Sequence, residues 1–151
     1  METDAFDASY LQQLQGALKK IETDTLKFSV LNDLAYYWHT RNLDSALTLA
    51  QEGLRITAQN DSLWYGRFQI TMGAILLRQE KLDSAYIMLE AAKQNVKESD
   101  LAFLNTQLGY VFERRGQLGK AADYALESLR LGRKLNDLKA QALAYSDLIP
   151  I

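Results

Sequence analysis

The chain has 151 residues, 48% of them hydrophobic and 24% charged, the composition of a folded globular protein rather than a disordered one. A net charge of −2 and a pI near 5.4 remove the electrostatic argument for a nucleic-acid partner. Cysteine is absent, which excludes disulfides, thiolate metal sites and cysteine nucleophiles, and the single proline, Pro150, interrupts no helix upstream of it.

In chain order, the opening METDAFDASY is acidic and lacks the basic-then-apolar order of an export signal. Asp7 or Ser9 can cap a first helix over 9–22, in which Tyr10, Leu14, Ala17, Leu18 and Ile21 recur at helical spacing. Thr23 and Asp24 punctuate the chain. Further helices are expected over 25–41, 43–58, 62–79, 82–96, 100–115 and 118–135. Asn42, Asn60-Asp61-Ser62, Ser99 or Asp100, Gly116 and Asn136-Asp137 serve as the breaks and caps. A last helix starts at 137 and runs into the C-terminus, where Leu148-Ile149-Pro150-Ile151 leaves an apolar pattern uncapped, as in an end cut from a longer protein. Every segment has a period near 3.6 and none a period of two, so the expected class is all-α without strands. The longest apolar runs, such as 74–77, fall far short of the roughly 18 residues of a membrane span. No membrane insertion is expected; the location is cytoplasmic for the chain as written, or exported if it is cut from a longer precursor.

The helices repeat. Leu-Asp-Ser-Ala at 82–85 recurs unchanged at 43–46 and as Leu-Gly-Lys-Ala at 118–121. The first helices align as Leu34-Ala35 with Trp38, Met72-Gly73 with Leu76, and Leu108-Gly109 with Phe112. The second helices align Ala46 and Gly53 with Ala85 and Ala92, then with Ala121 and Ser128. Gly73 to Ala85 and Gly109 to Ala121 are both twelve residues, whereas Ala35 to Ala46 is eleven. A mid-helix glycine costs about 0.5–1 kcal/mol of propensity, so Gly73 and Gly109 are expected to meet a shared demand for close helix approach.

This pattern resembles the tetratricopeptide repeat (TPR) family over about 25–135. The repeats fall at 25–58, 62–97 and 99–135, with 9–22 as a capping helix and 137–151 as the first helix of a partial fourth repeat, all in one domain. The spacing exceeds the family's usual 34 residues and the terminal prolines are missing. More narrowly, LNDLAYYW and the long inter-helix segments resemble TPR arrays of bacterial sensor and regulatory proteins. The resemblance implies a right-handed superhelical α-α solenoid whose first helices line a concave face that binds a protein or peptide. Asn32, Tyr36, His39, Arg67, Ile70, Ala74, Leu77, Arg78, Phe103, Thr106, Tyr110 and Glu113 would form that face. The family's clamp for heat-shock chaperone C-termini uses Lys and Asn. The matching positions here hold Asn32, Tyr36, Thr71, Phe103 and Gln107, without the lysine, so that partner is not expected.

No catalytic, cofactor or metal site emerges. His39 is the lone histidine, and a lone histidine at a helix end is more often a surface or cap residue than a base or ligand. Glu22/Asp24 and Glu98/Asp100 flank helix starts, where negative charge suits the dipole. The eight glycines are scattered singly, with no phosphate-cradling loop. Arg114, Arg115, Lys120, Arg130, Arg133 and Lys134 make the third repeat locally basic, read first as a solvated face. The expected function is therefore a non-enzymatic interaction scaffold. The alternative is a sensory or dimerisation region of a larger bacterial signalling protein, a histidine kinase or transcription regulator, with a homodimer through the C-terminal helix.

Overall fold

The computed structural model describes residues 8–16 and 24–148, and these form eight helices with no strand among the described residues. They are α1 (8–16), α2 (Asp24–Trp38), α3 (Leu43–Thr57), α4 (Ser62–Arg78), α5 (Leu82–Ala92), α6 (Glu98–Arg114), α7 (Leu118–Lys134) and α8 (Leu138–Leu148). The protein is all-α, and no described helix is long and apolar enough to cross a membrane. Asp7, Ala17, Leu18, Ile21, Thr23 and Ile149, which figured in the expected end segments, lie outside the described residues.

Local chemistry sets the helix ends. Oδ1 of Asn42, Asp61 and Asp137 accepts from the backbone N–H of Ser45, Trp64 and Ala140, at 3.1, 3.0 and 3.0 Å. α4, α6 and α7 share one closing turn, in which Glu80, Gly116 and Asn136 take φ of 60°, 78° and 55°. There the N–H of Lys81, Gln117 and Asp137 reaches back to the carbonyl of Leu76, Phe112 and Gly132, at 2.9, 2.9 and 2.7 Å. α2 closes differently. It stops at Trp38 rather than 41, because Arg41 N and Asn42 N both bond the Trp38 carbonyl, at 2.9 and 2.7 Å, with no left-handed residue. That tighter turn accounts for the missing residue between Ala35 and Ala46.

Two further boundaries depart from the sequence expectation. α5 ends at Ala92 instead of 96. Asn95 leaves the helix to donate to Gln69 Oε1 at 3.0 Å, and the Asn95–Val96 backbone folds over Gly66. A Cβ on Gly66 would lie 2.7 Å from Asn95 Cβ and 2.8 Å from Val96 Cγ1. α6 opens at Glu98, before Ser99 and Asp100. The Asp100 carboxylate, already inside the first turn, accepts from Lys97 N at 3.1 Å and fixes the earlier start.

Packing is sequential. α2 packs on α3, α4 on α5 and α6 on α7, and α3, α5 and α7 pack in turn on α4, α6 and α8. The even-numbered helices α2, α4, α6 and α8 also touch one another in succession, whereas α3, α5 and α7 do not. The even-numbered side is thus the crowded one. Successive apolar clusters run along the chain: Leu14 with Val30 and Leu34, Phe28 and Leu31 with Trp64 and Phe68, Ala46 and Ala50 with Met72 and Ile75, and Leu89 with Leu104, Leu108 and Val111. Each fully buried leucine, isoleucine, valine, methionine or phenylalanine among them contributes about 1.5–3 kcal/mol.

The small residues are not equivalent. A Cβ on Gly53 would lie 2.2 Å from the Phe68 ring, and one on Gly73 would lie 2.5 Å from Leu89 Cδ2, so a side chain at either position would force its neighbour to shift. A Cβ on Gly109 would meet only Tyr124 Cβ at 3.4 Å and the Ala121 carbonyl at 3.5 Å, ordinary contacts. The expectation that Gly73 and Gly109 answer one packing demand is therefore corrected. Leu89 fills the slot opposite Gly73, whereas sixteen residues after Gly109 the chain has Ala125.

Candidate binding surface

The twelve residues expected on one face separate into two groups. Ile70, Ala74, Leu77 and Thr106 are buried; the first three belong to the packing between helices, and Thr106 lines the cavity beside Tyr110 described below. Ile70 and Leu77 join the cluster around Leu89, and Thr106 donates to the Ala102 carbonyl at 3.0 Å and contacts Ser128 Oγ at 3.3 Å. Asn32 is half-buried and accepts from Thr71 Oγ1 at 2.6 Å, tying α2 to α4. Arg67 is committed as well. Its Nε donates to both Asp100 oxygens, at 3.0 and 3.2 Å, and its guanidinium lies 4.6 Å above the Trp64 ring.

The other group stays accessible. Tyr36, at 38% exposure, stacks on His39 with centroids 4.2 Å apart and meets the edge of Phe103 at 5.4 Å. That second contact joins α2 to α6 across α4. Tyr110 is half-buried, one α6 face further on, and its hydroxyl donates to Asp147 Oδ1 of α8 at 3.4 Å. Arg78 and Glu113 are exposed at the C-terminal ends of α4 and α6.

Electrostatics on this side reflect partial burial. His39 Nδ1 donates to the Tyr36 carbonyl. Burial holds its pKa below the ordinary histidine value, opposed by that hydrogen bond and reinforced by Arg78 and Arg41. Burial raises the Asp33 carboxyl while Lys139 of α8 lowers it, so α2 and α8 also feel one another. Burial, then Glu113, raises Asp147. Burial and the neighbouring Asp147 carboxylate push the Tyr110 hydroxyl up to about 12. Asp33, Lys139 and Asp147 were absent from the sequence-derived set. A charged residue at a helical position carries no sign of which distant helix it will face.

Next to Tyr110, a cavity of about 530 Å³ opens between α6, α7 and the last turn of α8. Gly109, Ala121, Ala122 and Ala125 form its small-residue walls with Leu118 and Leu148, and Tyr110, Glu113, Ser146 and Asp147 supply its polar groups. The six basic residues of the third repeat are engaged elsewhere. Arg114 pairs with Glu80, Arg115 with Asp83, Arg130 with Glu127 and Lys134 with Glu98. Arg133 reaches the Tyr145 hydroxyl, and Lys120 lies 5.2 Å above the Phe112 ring. Among the described residues no three His, Asp or Glu side chains converge as a metal site would need. No family model, curated protein or solved structure matches the chain.

Proposed function

We propose that the protein is a non-enzymatic binding module, a right-handed superhelical array of TPR-like hairpins that holds a peptide or protein segment on a concave wall. The wall is formed by α2, α4, α6 and α8. Support for the curvature comes from contacts between successive even-numbered helices where successive odd-numbered ones have none: a stack bends toward its crowded side. Helices held by neighbours on both flanks are set before a ligand arrives, which lowers the ordering cost of binding.

The observation that carries the reading is the accessible aromatic row on that side: Tyr36 and His39 stacked, Phe103 edge-on to Tyr36, and Tyr110 beyond. Phe103 and Tyr110 pack one side against the cluster around Leu89 and keep the other accessible, and such half-exposed aromatics offer large contact area at little entropic cost, as binding hot spots do. The test is selection of a displayed peptide library on the wild-type protein, followed by affinity measurement on Tyr36→Ala. Selected peptides should lose roughly tenfold or more. Peptides that bind both proteins equally would sink the proposal.

A second reading, self-association through α8, is favoured by the exposure of Leu138 at 74% and Tyr145 at 43% on that helix. It corresponds to a dimerisation region of a larger signalling protein. Sedimentation across a concentration series tests it, with Leu138→Glu expected to abolish any dimer. A monomer at every concentration would discard it.

A further inference from the structure

The third hairpin repeats the second with one deletion of bulk. In the second, Leu89 occupies the slot opposite Gly73 and is fully buried. Ala125 stands at the corresponding place opposite Gly109, and the Gly109 position has room for a methyl group. In the first hairpin, where Ala35 and Ala50 are both small, Met72 and Ile75 of α4 close the gap. At the third, α8 instead brings Ser146, Asp147 and Leu148 to the rim, and the space stays open as the cavity of about 530 Å³. That volume is within the range of ligand sites. Its lining is mostly apolar, with the Thr106 hydroxyl among the small residues, and it bears two carboxylates, Glu113 and Asp147, beside Tyr110. No basic side chain lines it, and neither carboxylate has an ion pair among the described residues.

We propose that this cavity receives a lysine or arginine side chain of the segment bound on the concave wall, its aliphatic stem against Ala121 and Ala125 and its charged head between Glu113, Asp147 and the Tyr110 ring. The inference rests on the reading of the even-numbered face as a binding wall and adds the chemistry of the partner to it. The alternatives fit less well. An acidic side chain would add a third negative charge beside two carboxylates, and an apolar one would desolvate both without compensation. A cation satisfies the carboxylates through charge-assisted hydrogen bonds, gains from the tyrosine face and lays its methylene stem on the alanines. The upward displacement of the Asp147 carboxyl by burial and by Glu113 marks a site where added positive charge relieves existing strain on the charged form.

The test is a titration of isotope-labelled protein, followed by backbone amide shifts, with acetylated (Lys-Ala)3-amide and (Glu-Ala)3-amide. The lysine peptide should move the amides of Gly109, Ala121 and Ser146 and those around Tyr36 and Phe103, and the glutamate peptide should move neither set. Two variants isolate the cavity. Glu113→Gln with Asp147→Asn keeps shape and removes charge. Ala125→Leu fills the slot as Leu89 does in the second hairpin and leaves the charges alone. Each should weaken the lysine peptide roughly tenfold with the melting temperature held or raised. Shifts confined to the Tyr36–Phe103 end, unchanged in both variants, would overturn the cavity inference and leave the wall reading standing. Shifts confined to the cavity and lost in both variants would overturn the wall reading, and with it the bound segment, and keep only the cavity's preference for a cation. Equal response to the two peptides would overturn the assignment of a cation.

Discussion

Gly73 and Gly109 hold the same place in successive repeats, yet replacing each by alanine should change stability in opposite directions. At Gly73 the new Cβ would lie 2.5 Å from Leu89 Cδ2, 2.6 Å from Leu89 Cγ and 3.3 Å from Leu89 Cδ1. Carbon atoms settle at about 3.5–4.0 Å, so Leu89 must retreat by about 1 Å. It is fully buried in a cluster with Ala85, Ala92, Leu104 and Leu108, so the retreat presses on those neighbours. Overpacking of this kind costs about 1–3 kcal/mol, and the helix propensity gained by alanine returns at most about 1 kcal/mol, leaving a net loss near 1 kcal/mol. At Gly109 the new methyl meets only ordinary contacts, so the propensity gain of about 0.5–1 kcal/mol should appear with little opposing it. The two variants should therefore differ by about 2 kcal/mol. In urea that separates their midpoints by about 1 M, Gly73→Ala below wild type and Gly109→Ala above it. Gly73→Ala should also be partly rescued by Leu89→Val, the double variant losing less than the sum of the singles. Midpoints moving together in one direction, or strict additivity in the double variant, would refute the assignment of Leu89 as the group that excludes a side chain at Gly73.

Glu80 holds φ of 60° in the closing turn of α4 and pairs only with exposed Arg114, so Glu80→Gly should raise stability by roughly 0.5 kcal/mol net of that weak pair, read as a higher urea midpoint. Asp100 both caps the first turn of α6 and accepts the half-buried Arg67 guanidinium. Asp100→Ala should thus cost about 1–2 kcal/mol and exceed the loss from Arg67→Ala, with a double-mutant cycle showing coupling. His39 binds its proton less readily folded than unfolded. Its contribution to stability is thus full above about pH 6.5 and is lost as pH falls through the lower folded value. Wild type should therefore lose melting temperature between pH 7 and 5.5 more steeply than His39→Gln; parallel profiles would exclude it. Asp33 and Asp147 act in the opposite sense, because their raised folded values add stability as they protonate, in a more acidic window.

Much of the fold was legible in the chain because the decisive signals are local. Asn42, Asp61 and Asp137 announce helix starts by the short side chains that satisfy first-turn amides, and all three do so here. The end of α5 was not legible, since it depends on Asn95 finding Gln69 twenty-six residues earlier in the chain. The proposed binding face was half legible. Helical spacing placed Tyr36, Phe103 and Tyr110 on the same side, but it placed Ile70, Ala74 and Leu77 there as well. Those three sit on α4, which has α2 on one flank and α6 on the other, and the Tyr36–Phe103 contact spans it. A face periodicity describes one helix and says nothing of neighbours closing over it.

The repeat alignment is informative where it fails as well as where it holds. Three copies share their small residues, and a small residue specifies only that something may come close. Phe68 of α4 comes within reach of Gly53 of α3 and Leu89 within reach of Gly73, so the junction of the first two hairpins and the second hairpin itself are each locked by a large side chain against a bare backbone. Gly109 meets no such side chain, Ala125 supplies no bulk, and Ala121 is partly exposed where Ala46 and Ala85 are fully buried. The loose glycine, the partly exposed alanine and the cavity are one fact seen from three residues. A structure selected only to hold its hairpins together would gain from a leucine at 125, as cavity filling commonly stabilises. If Ala125→Leu raises the melting temperature while abolishing binding of the lysine peptide, the open slot serves the ligand at the expense of the fold. If it raises stability and leaves binding intact, the slot is only unfilled space.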